Sequence, residues 1–134
     1  MRSQVAALYR GAIEGCAWIT PQHVPEGCEH SWWTYAVACD TPQRALLLAD
    51  AIVKHGGERP YPAWRLTYDE PAFLHLPYLA KGGPAAVYRK ERSVSFCPVA
   101  ESLQPRLLQF QTNDLASAER NATALRAAIQ EIGA

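Results

Sequence analysis

The sequence predicts an α+β fold, in which a small, mostly antiparallel sheet carries helices packed on one face. Two helical periodicities, over residues 3–14 and 42–55, flank a strand-like run, and a short alternating strand precedes a closing helix. Helices that alternate with few strands are typical of a short sheet covered by helices. The length of 134 residues suits one core, so we expect residues 1–134 to form a single domain.

The first helix is predicted over residues 3–14, because its apolar residues recur at the spacing of one helical face. These residues are Val5, Leu8, Tyr9, Ala12 and Ile13. Gly15 is a suitable stop for the helix. Residues 16–30 contain two prolines and a glycine, so we expect them to form a connecting loop.

The run WWTYAVAC, residues 32–39, is predicted to be a strand because side chains of β-forming type alternate between two faces. One face would hold Trp33, Tyr35, Val37 and Cys39, and the other Trp32, Thr34, Ala36 and Ala38. Both faces are largely apolar, which indicates a strand that is interior or covered on both sides.

A second helix follows at once. Thr41 can cap it, and Pro42 fits its first turn because proline has no N–H to leave unpaired there. The helix runs through QRALLLADAIVKH to the stop at Gly56, and its wide apolar surface predicts deep burial. Residues 58–66 are expected to be extended, with two prolines that limit strand pairing.

The last third of the chain begins with turn signals over residues 67–95 and then becomes regular. Pro98 is expected to open a short helix that Pro105 ends, and RLLQFQ is predicted to be a strand with one wet face. Ser117 is expected to cap the final helix. Its inward residues would be Ala118, Ala122, Leu125, Ile129 and Ile132.

The charge balance excludes several partners. The chain has 13 basic and 13 acidic residues, a net charge of zero and a pI of about 6.9, so it has no basic stripe for nucleic acid. No apolar run approaches the roughly 18 residues that suggest a membrane span, and the N-terminus lacks a signal-peptide pattern. We therefore expect a cytoplasmic protein. Charged residues make up only 19% of the chain, which favours a surface covered by a partner.

The four cysteines, Cys16, Cys28, Cys39 and Cys97, form no Cys-x-x-Cys pair, so we expect reduced thiols and no structural metal. The cluster Cys28-Glu29-His30 is the feature that would favour zinc, but its spacing is wrong for a structural zinc site. One interpretation of the sequence, besides those based on the family resemblance described below, is an unrelated small enzyme or metal-binding protein.

Several segments in chain order resemble one protein family. The segments are the run R-x-x-x-A-x-x-Y from Arg2 to Tyr9, then HSWWTYAV, the capped helix ending in glycine, CPVAESLQPRLLQF and a closing helix. Together they resemble the C-terminal small domain of the DegT/DnrJ/EryC1/StrS aminotransferases. The resemblance covers nearly the whole chain. The segment PAWRLTYDEPAF looks like that family's loop, in a form closer to members that act on cyclitols or aminobenzoate precursors. The chain departs from the family at Phe110-Gln111, where Leu-Pro is usual, and it lacks a histidine common in the loop.

The resemblance implies a pyridoxal-phosphate (PLP) enzyme of fold type I, which in most cases aminates keto-sugars on nucleotides or cyclitols. That chemistry needs a Schiff-base lysine, a carboxylate on the pyridine nitrogen and a phosphate cup. In the family these lie in a large domain upstream. Lys54, Lys81 and Lys90 have the surroundings of solvated lysines, and no glycine-rich phosphate loop precedes a helix. We therefore expect no catalytic residue, no cofactor bound by this chain alone, and no activity of the isolated chain.

Substrate contact is what such a small domain would contribute. The resemblance implies that the loop after the second strand faces the ligand, and there the chain offers Arg59, Trp64, Arg65 and Tyr68. Arginine can bind a carboxylate or phosphate in a fork, and an aromatic side chain can cover a ring. The alternative is that Arg65 forms a surface ion pair and that Trp64 and Tyr68 serve packing.

The interpretation we adopt is the C-terminal domain or small subunit of a PLP-dependent sugar or cyclitol aminotransferase. It would close the substrate cleft and make domain and dimer contacts with a PLP-binding large domain or subunit. Homo-oligomers are expected, whereas nucleic acid and membranes are not. The alternative is a free-standing, cofactor-less binding or oligomerisation module derived from that fold, and the sequence does not separate the two.

Overall fold

The computed structural model describes residues 1–71 and 97–133. Its helices are α1 (Arg2–Ile13), α2 (Pro42–Lys54), α3 (Pro98–Leu103) and α4 (Leu115–Ile132), and its strands are β1 (Ile19–Pro21), β2 (Thr34–Cys39), β3 (Tyr61–Pro62) and β4 (Leu107–Gln111). Short 3-10 turns lie at Thr67–Asp69 and Gln104–Arg106. The chain divides into two compact units: Met1–Ala63 with Pro105–Ala134, and Trp64–Gln104.

All four strands lie in the first unit and form one antiparallel sheet in the order β1-β2-β4-β3. In the central pair, Tyr35 lies opposite Phe110 and Val37 opposite Leu108. Strand β2 is therefore interior, as its two apolar faces predicted. The predicted α+β fold, with a small antiparallel sheet and helices on one face, is confirmed.

The helical layer covers the face of the sheet that carries the buried residues of β2 and β4. Helix α4 contacts both α1 and α2, and α2 also contacts β2 and β4. Tyr9, Tyr35, Leu48 and Leu125 are among the largest fully buried side chains. Each such burial contributes about 1.5–3 kcal/mol relative to an exposed side chain, so this layer carries most of the stabilisation of the first unit.

The outer side of α2 does not share that burial. Ala45, Leu48 and Ile52 are buried, but Leu46 and Leu47 remain exposed. The predicted deep burial therefore holds for one side of this helix and not for Leu46 and Leu47. A helix of 13 residues at the edge of a single layer has a neighbour along only part of its circumference, so the remaining apolar residues face outward.

The predicted start of α2 is confirmed and the predicted start of the last helix is wrong. Thr41 Oγ1 accepts a hydrogen bond from the backbone N–H of Arg44 at 3.2 Å, and Pro42 occupies the first turn. In α4 the cap is Asp114, whose Oδ2 accepts the N–H of Ser117 at 2.9 Å. This hydrogen bonding lowers the pKa of Asp114. The backbone N–H of Ser117 is one of the unpaired donors in the first turn of the helix, and the capping side chain that accepts it lies three residues earlier, at Asp114.

The strand β2 begins two residues later than predicted, at Thr34, because the backbone of Trp32 has a positive φ of 50°. This left-handed conformation is strained for a bulky residue and breaks the alternation of side chains. As a result Trp32 is buried and Trp33 is 65% exposed, opposite to the predicted faces. Two hydrogen bonds hold the conformation: the Trp32 N–H donates to His30 Nδ1 at 2.8 Å, and the buried Thr112 hydroxyl donates to the Trp32 carbonyl at 2.5 Å.

Strand β1 lies within residues 16–30, which were predicted to be a loop. Ile19 pairs with Cys39, and the Asp40 N–H donates to the Trp18 carbonyl at 2.9 Å. Three residues ending in a proline are too few to show a strand period in the sequence. Within residues 1–71 and 97–133, no helix has both the length and the hydropathy to cross a bilayer.

Candidate functional site

The turn after α2 is fixed by close packing of its backbone. Gly56 has a positive φ of 83°, which favours glycine. At Gly57 a Cβ atom would lie 2.7 Å from Ile52 Cγ2 and 2.8 Å from Ala124 Cβ. The chain therefore leaves α2 pressed against α4, and this contact sets where the following residues begin.

Glu58 is anchored next. Its N–H donates to Asn121 Oδ1 at 2.8 Å, and its carboxylate accepts from Arg120 at 2.8 Å and from Asn121 Nδ2 at 3.4 Å. Asn121 is only 4% exposed, so both ends of its amide are used in a buried setting. A buried amide with both groups paired holds its neighbour in place, because losing either bond would leave a polar group unsatisfied.

Arg59 and Tyr61 extend from this anchor towards the edge of the sheet. The Arg59 guanidinium pairs with Asp50 at 2.6 Å, and both side chains are more than half exposed. The Tyr61 hydroxyl accepts a hydrogen bond from Gln111 Nε2 at 2.7 Å. In the pairing of β3 with β4, Tyr61 lies opposite Gln109.

These residues enclose a cleft, which we call the β3–β4 cleft, of about 340 Å³. It is lined by Glu58, Arg59, Pro60, Tyr61, Gln109, Phe110, Gln111 and Asn121. A guanidinium, a phenol and the carboxamides of Gln109 and Gln111 can bind and orient a polar ligand through directional hydrogen bonds. Glu58 and Arg59 each have an ion-pair partner, so the cleft offers hydrogen bonding with little uncompensated charge.

The second unit contains the other three residues predicted to bind substrate. Tyr68 lies in the turn Thr67–Asp69, and its hydroxyl donates to Glu101 Oε1 at 2.6 Å. The same oxygen accepts the N–H of Cys97 at 3.3 Å, at the start of α3. Partial burial and then the hydrogen bond to Glu101 raise the pKa of Tyr68. The segment Pro98-Val99-Ala100-Glu101 thus connects α3 to the turn at Thr67–Asp69 through its glutamate.

Trp64 and Arg65 lie just before that turn. The Trp64 carbonyl accepts from Gln104 Nε2 at 3.4 Å, while 75% of the Trp64 residue surface is exposed. Arg65 is exposed as well. The structure therefore places Arg59 at the β3–β4 cleft in the first unit, and Trp64, Arg65 and Tyr68 in the second unit. Their role in substrate binding stays a prediction.

The sequence interpretation missed several residues that line the cleft. Tyr61 and Pro60 were considered only as part of an extended segment with limited pairing. Gln109 and Gln111 were recognised as a wet face of a strand, and this was the signal that could have pointed to the cleft. The sequence does not indicate that Asn121 is buried, because asparagine in a helix is usually exposed to solvent and its partner Glu58 is distant in the chain.

The described residues do not fit PLP. Lys54 is 66% exposed and its Nζ pairs with Glu131 at 2.7 Å, so it has neither the enclosure nor the free amine that a Schiff base needs. The other two lysines, Lys81 and Lys90, lie outside the described residues. Within residues 1–71 and 97–133, no glycine-rich loop leads into a helix that could form a phosphate cup.

The cysteines and acidic residues show no metal cluster within the described ranges, where no three His, Cys, Asp or Glu side chains converge. Cys16 and Cys39 are buried, while Cys28 and Cys97 are exposed free thiols. Burial raises the pKa of Cys39 to about 11, so this thiol stays protonated at neutral pH and acts as a small apolar side chain.

Comparison with known proteins gives a likeness of fold. No protein-family model matches the chain, and no curated protein matches it. Among solved structures, it is similar to 3-amino-5-hydroxybenzoic acid (AHBA) synthase, with a TM-score of 0.63 and 18% sequence identity. The alignment covers 97% of this chain and 34% of that chain. The chain therefore has the fold of about one third of AHBA synthase.

Proposed function

We propose that this chain is the C-terminal domain or small subunit of a PLP-dependent aminotransferase that acts on a sugar or cyclitol. The observation that carries the proposal is the likeness to AHBA synthase, which spans 97% of this chain but only 34% of the longer one. The ordered motifs of the DegT/DnrJ/EryC1/StrS family support it independently. The name of the similar enzyme also agrees with the loop PAWRLTYDEPAF, whose form resembles that of members acting on aminobenzoate precursors.

In this proposal a large domain or subunit holds PLP, which supplies the electron sink for transamination. This chain contributes no catalytic group. It acts as the small domain, which closes over the substrate, excludes water and orients the ligand. Arg59 in the first unit, and Trp64, Arg65 and Tyr68 in the second, are each proposed separately as substrate contacts: an arginine can bind an anionic group, and an aromatic side chain can cover a ring. The assembly would be cytoplasmic and would contain more than one copy of this chain.

The role of Arg65 can be tested in the assembled enzyme. We expect Arg65→Ala to raise the Michaelis constant for the amino acceptor about tenfold, because a charge-assisted hydrogen bond contributes about 1.5–3 kcal/mol. The absorption spectrum of bound PLP should not change. Arg2→Ala, at an exposed position at the start of α1, is the matched control. An unaltered Michaelis constant for Arg65→Ala would count against a contact with the substrate.

The proposal as a whole is tested by native pull-down of the tagged chain from its host, with mass spectrometry and an absorption scan of the eluate. A stoichiometric larger partner with the yellow band of a PLP–lysine adduct supports a split or excised aminotransferase. Recovery of the chain only with itself, colourless after PLP is added, would refute it. That second result would favour the alternative, a cofactor-less module that forms closed oligomers.

A further inference from the structure

A second cleft, which we call the α1–β1 cleft, lies in the first unit between the C-terminal half of α1 and the edge strand β1. Its volume is about 370 Å³. It is lined by Ala7, Arg10, Gly11, Ile13, Glu14, Ile19 and Pro21. Five of these seven residues are apolar or glycine, so the walls would favour an apolar body. The two charged residues, Arg10 and Glu14, have opposite sign.

Gly11 leaves open space in this cleft. It lies inside α1, where glycine is less favourable than alanine because its backbone loses more freedom. A Cβ atom at this position would meet nothing within 4 Å, and the residue has no positive φ. Neither packing nor backbone conformation within the described chain therefore requires glycine here. A ligand that approaches the helix backbone would require it.

Arg10 lies in the last turn of α1, Glu14 directly follows the helix, and both line the cleft. Across residues 1–71 and 97–133 no ion pair joins either side chain to another charged group. Arg10 is nevertheless positioned, because its guanidinium carbon lies 5.9 Å from the centre of the Trp32 ring. The cleft thus carries one oriented positive group and one negative group, both available to a ligand.

Tyr35 is a further neighbour of Arg10. It is fully buried, and its hydroxyl has no hydrogen-bond partner among the described residues. Burial raises the pKa of this phenol, and the nearby positive charge of Arg10 lowers it in part. The Tyr35 hydroxyl is not among the groups that line the cleft, and it gives the guanidinium of Arg10 a polar neighbour.

We propose that the α1–β1 cleft binds an apolar α-amino acid as the zwitterion, with its carboxylate at Arg10, its ammonium group at Glu14 and its side chain against Gly11, Ile13 and Ile19. Opposite charges beside an apolar surface complement such a ligand. A phosphate or other simple anion fits less well, because the carboxylate of Glu14 would repel it. This site goes beyond the proposed aminotransferase role and does not rest on it.

The test is a titration of the full 134-residue chain with L-leucine, followed by amide chemical shifts in two-dimensional NMR. We expect saturable shifts in residues 7–14 and in Ile19 and Thr20. Two analogues separate the charges: 4-methylpentanoate lacks the ammonium group, and 3-methylbutylamine lacks the carboxylate. Each should bind about tenfold more weakly than leucine, the loss expected for one charged hydrogen bond.

Three variants locate the site. Arg10→Gln and Glu14→Gln should each weaken leucine binding about tenfold, and Arg2→Gln, on the same helix, should leave it unchanged. Gly11→Ala should reduce binding by occupying the space beside the helix. Because the new methyl group meets nothing within 4 Å, this variant should keep or raise the melting temperature, so a loss of binding is not a loss of folding.

Several results would overturn the proposal. One is the absence of saturable shifts with L-leucine. Others are unchanged affinity in Gly11→Ala, or equal binding of leucine and its two singly charged analogues. The proposal would also be overturned if the amide shifts of the same residues changed with protein concentration in the absence of ligand. That result would mean that a second copy of the chain occupies the cleft. A failed pull-down of a PLP-binding partner would not affect any of these measurements, so the two proposals fail separately.

Discussion

Asn121 shows how one buried amide connects the helical layer to the candidate site. It projects from α4, is almost fully buried, and pairs with both the backbone and the carboxylate of Glu58. The turn that carries Arg59 and Tyr61 is therefore held from the last helix, about sixty residues later in the chain. The position of the β3–β4 cleft depends on this long-range hydrogen bond.

We expect Asn121→Ala to lower the free energy of unfolding by about 1–3 kcal/mol, because the Glu58 N–H and carboxylate lose buried partners. Urea unfolding followed by circular dichroism measures the change. Asn113→Ala, at an exposed position before α4, is the control and should change stability by less than about 0.5 kcal/mol. Equal stability of the two variants would contradict the anchoring role of Asn121.

At the scale of elements, the contact between α2 and α4 is closest at Gly57. We expect Gly57→Ala to destabilise the protein by about 1–3 kcal/mol, because its Cβ would overlap Ile52 and Ala124 and force backbone shifts. Thermal unfolding measures the effect. Gly11→Ala is the matched control, since its Cβ meets nothing within 4 Å and it should gain up to about 1 kcal/mol. A neutral Gly57→Ala variant would show that α2 and α4 can separate at little cost.

The C-terminal ends of the same two helices are joined by Glu131, whose two oxygens pair with Lys54 and His55, each at 2.7 Å. These hydrogen bonds lower the pKa of Glu131 below its ordinary value of 4.5. A carboxyl whose pKa falls on folding stabilises the protein above its unfolded-state pKa, and this stabilisation is lost as the pH falls through the folded-state pKa.

We therefore expect wild type to be more stable than Glu131→Gln near neutral pH, with the difference disappearing as the pH falls below the ordinary pKa of a glutamate and through the lower folded-state pKa. Urea midpoints at a series of pH values measure this. The difference at neutral pH should shrink in high salt, because both partners are partly exposed. Glu119→Gln, at another exposed glutamate of α4, should give a pH profile parallel to wild type. If the profile of Glu131→Gln is also parallel to wild type, the ion pairs of Glu131 with Lys54 and His55 contribute nothing to stability.

At the scale of the whole molecule, zero net charge accompanies an unusual set of exposed apolar side chains. Trp33, Trp64, Leu46 and Leu47 are all more than half exposed. Aromatic residues on a surface are typical of interfaces, and a chain with few charges has little to keep such a surface solvated. These residues are consistent with a domain whose surface is partly covered in a larger assembly.

The balanced charge of the sequence gives a prediction at the same scale. We expect no binding of a double-stranded DNA oligomer at an ionic strength of about 0.15 M, because nonspecific affinity comes from cations that neutralise phosphates. Fluorescence anisotropy of a labelled oligomer measures it, with a basic DNA-binding protein as the positive control. Salt-dependent binding in the micromolar range would reopen the question of a nucleic-acid partner.

The sequence by itself determined the elements whose signals are local. Thr41 and Pro42 mark the start of α2 with a cap and a first-turn proline, and the alternation in RLLQFQ marks β4. These signals sufficed for the fold class, because helices and strands in this order have few ways to share one core. Arg59 was named from the family resemblance and not from these local signals, and its role in substrate binding stays a prediction.

Only the tertiary structure decided what depends on groups distant in sequence. The strained backbone of Trp32 reverses the faces at the start of β2, and it is held partly by Thr112, eighty residues later. The cleft around Tyr61 exists because Asn121 and Gln111 reach it from other elements. Hydrogen bonds and close packing between distant residues leave no periodic trace in a sequence, whereas caps and amphipathic faces do.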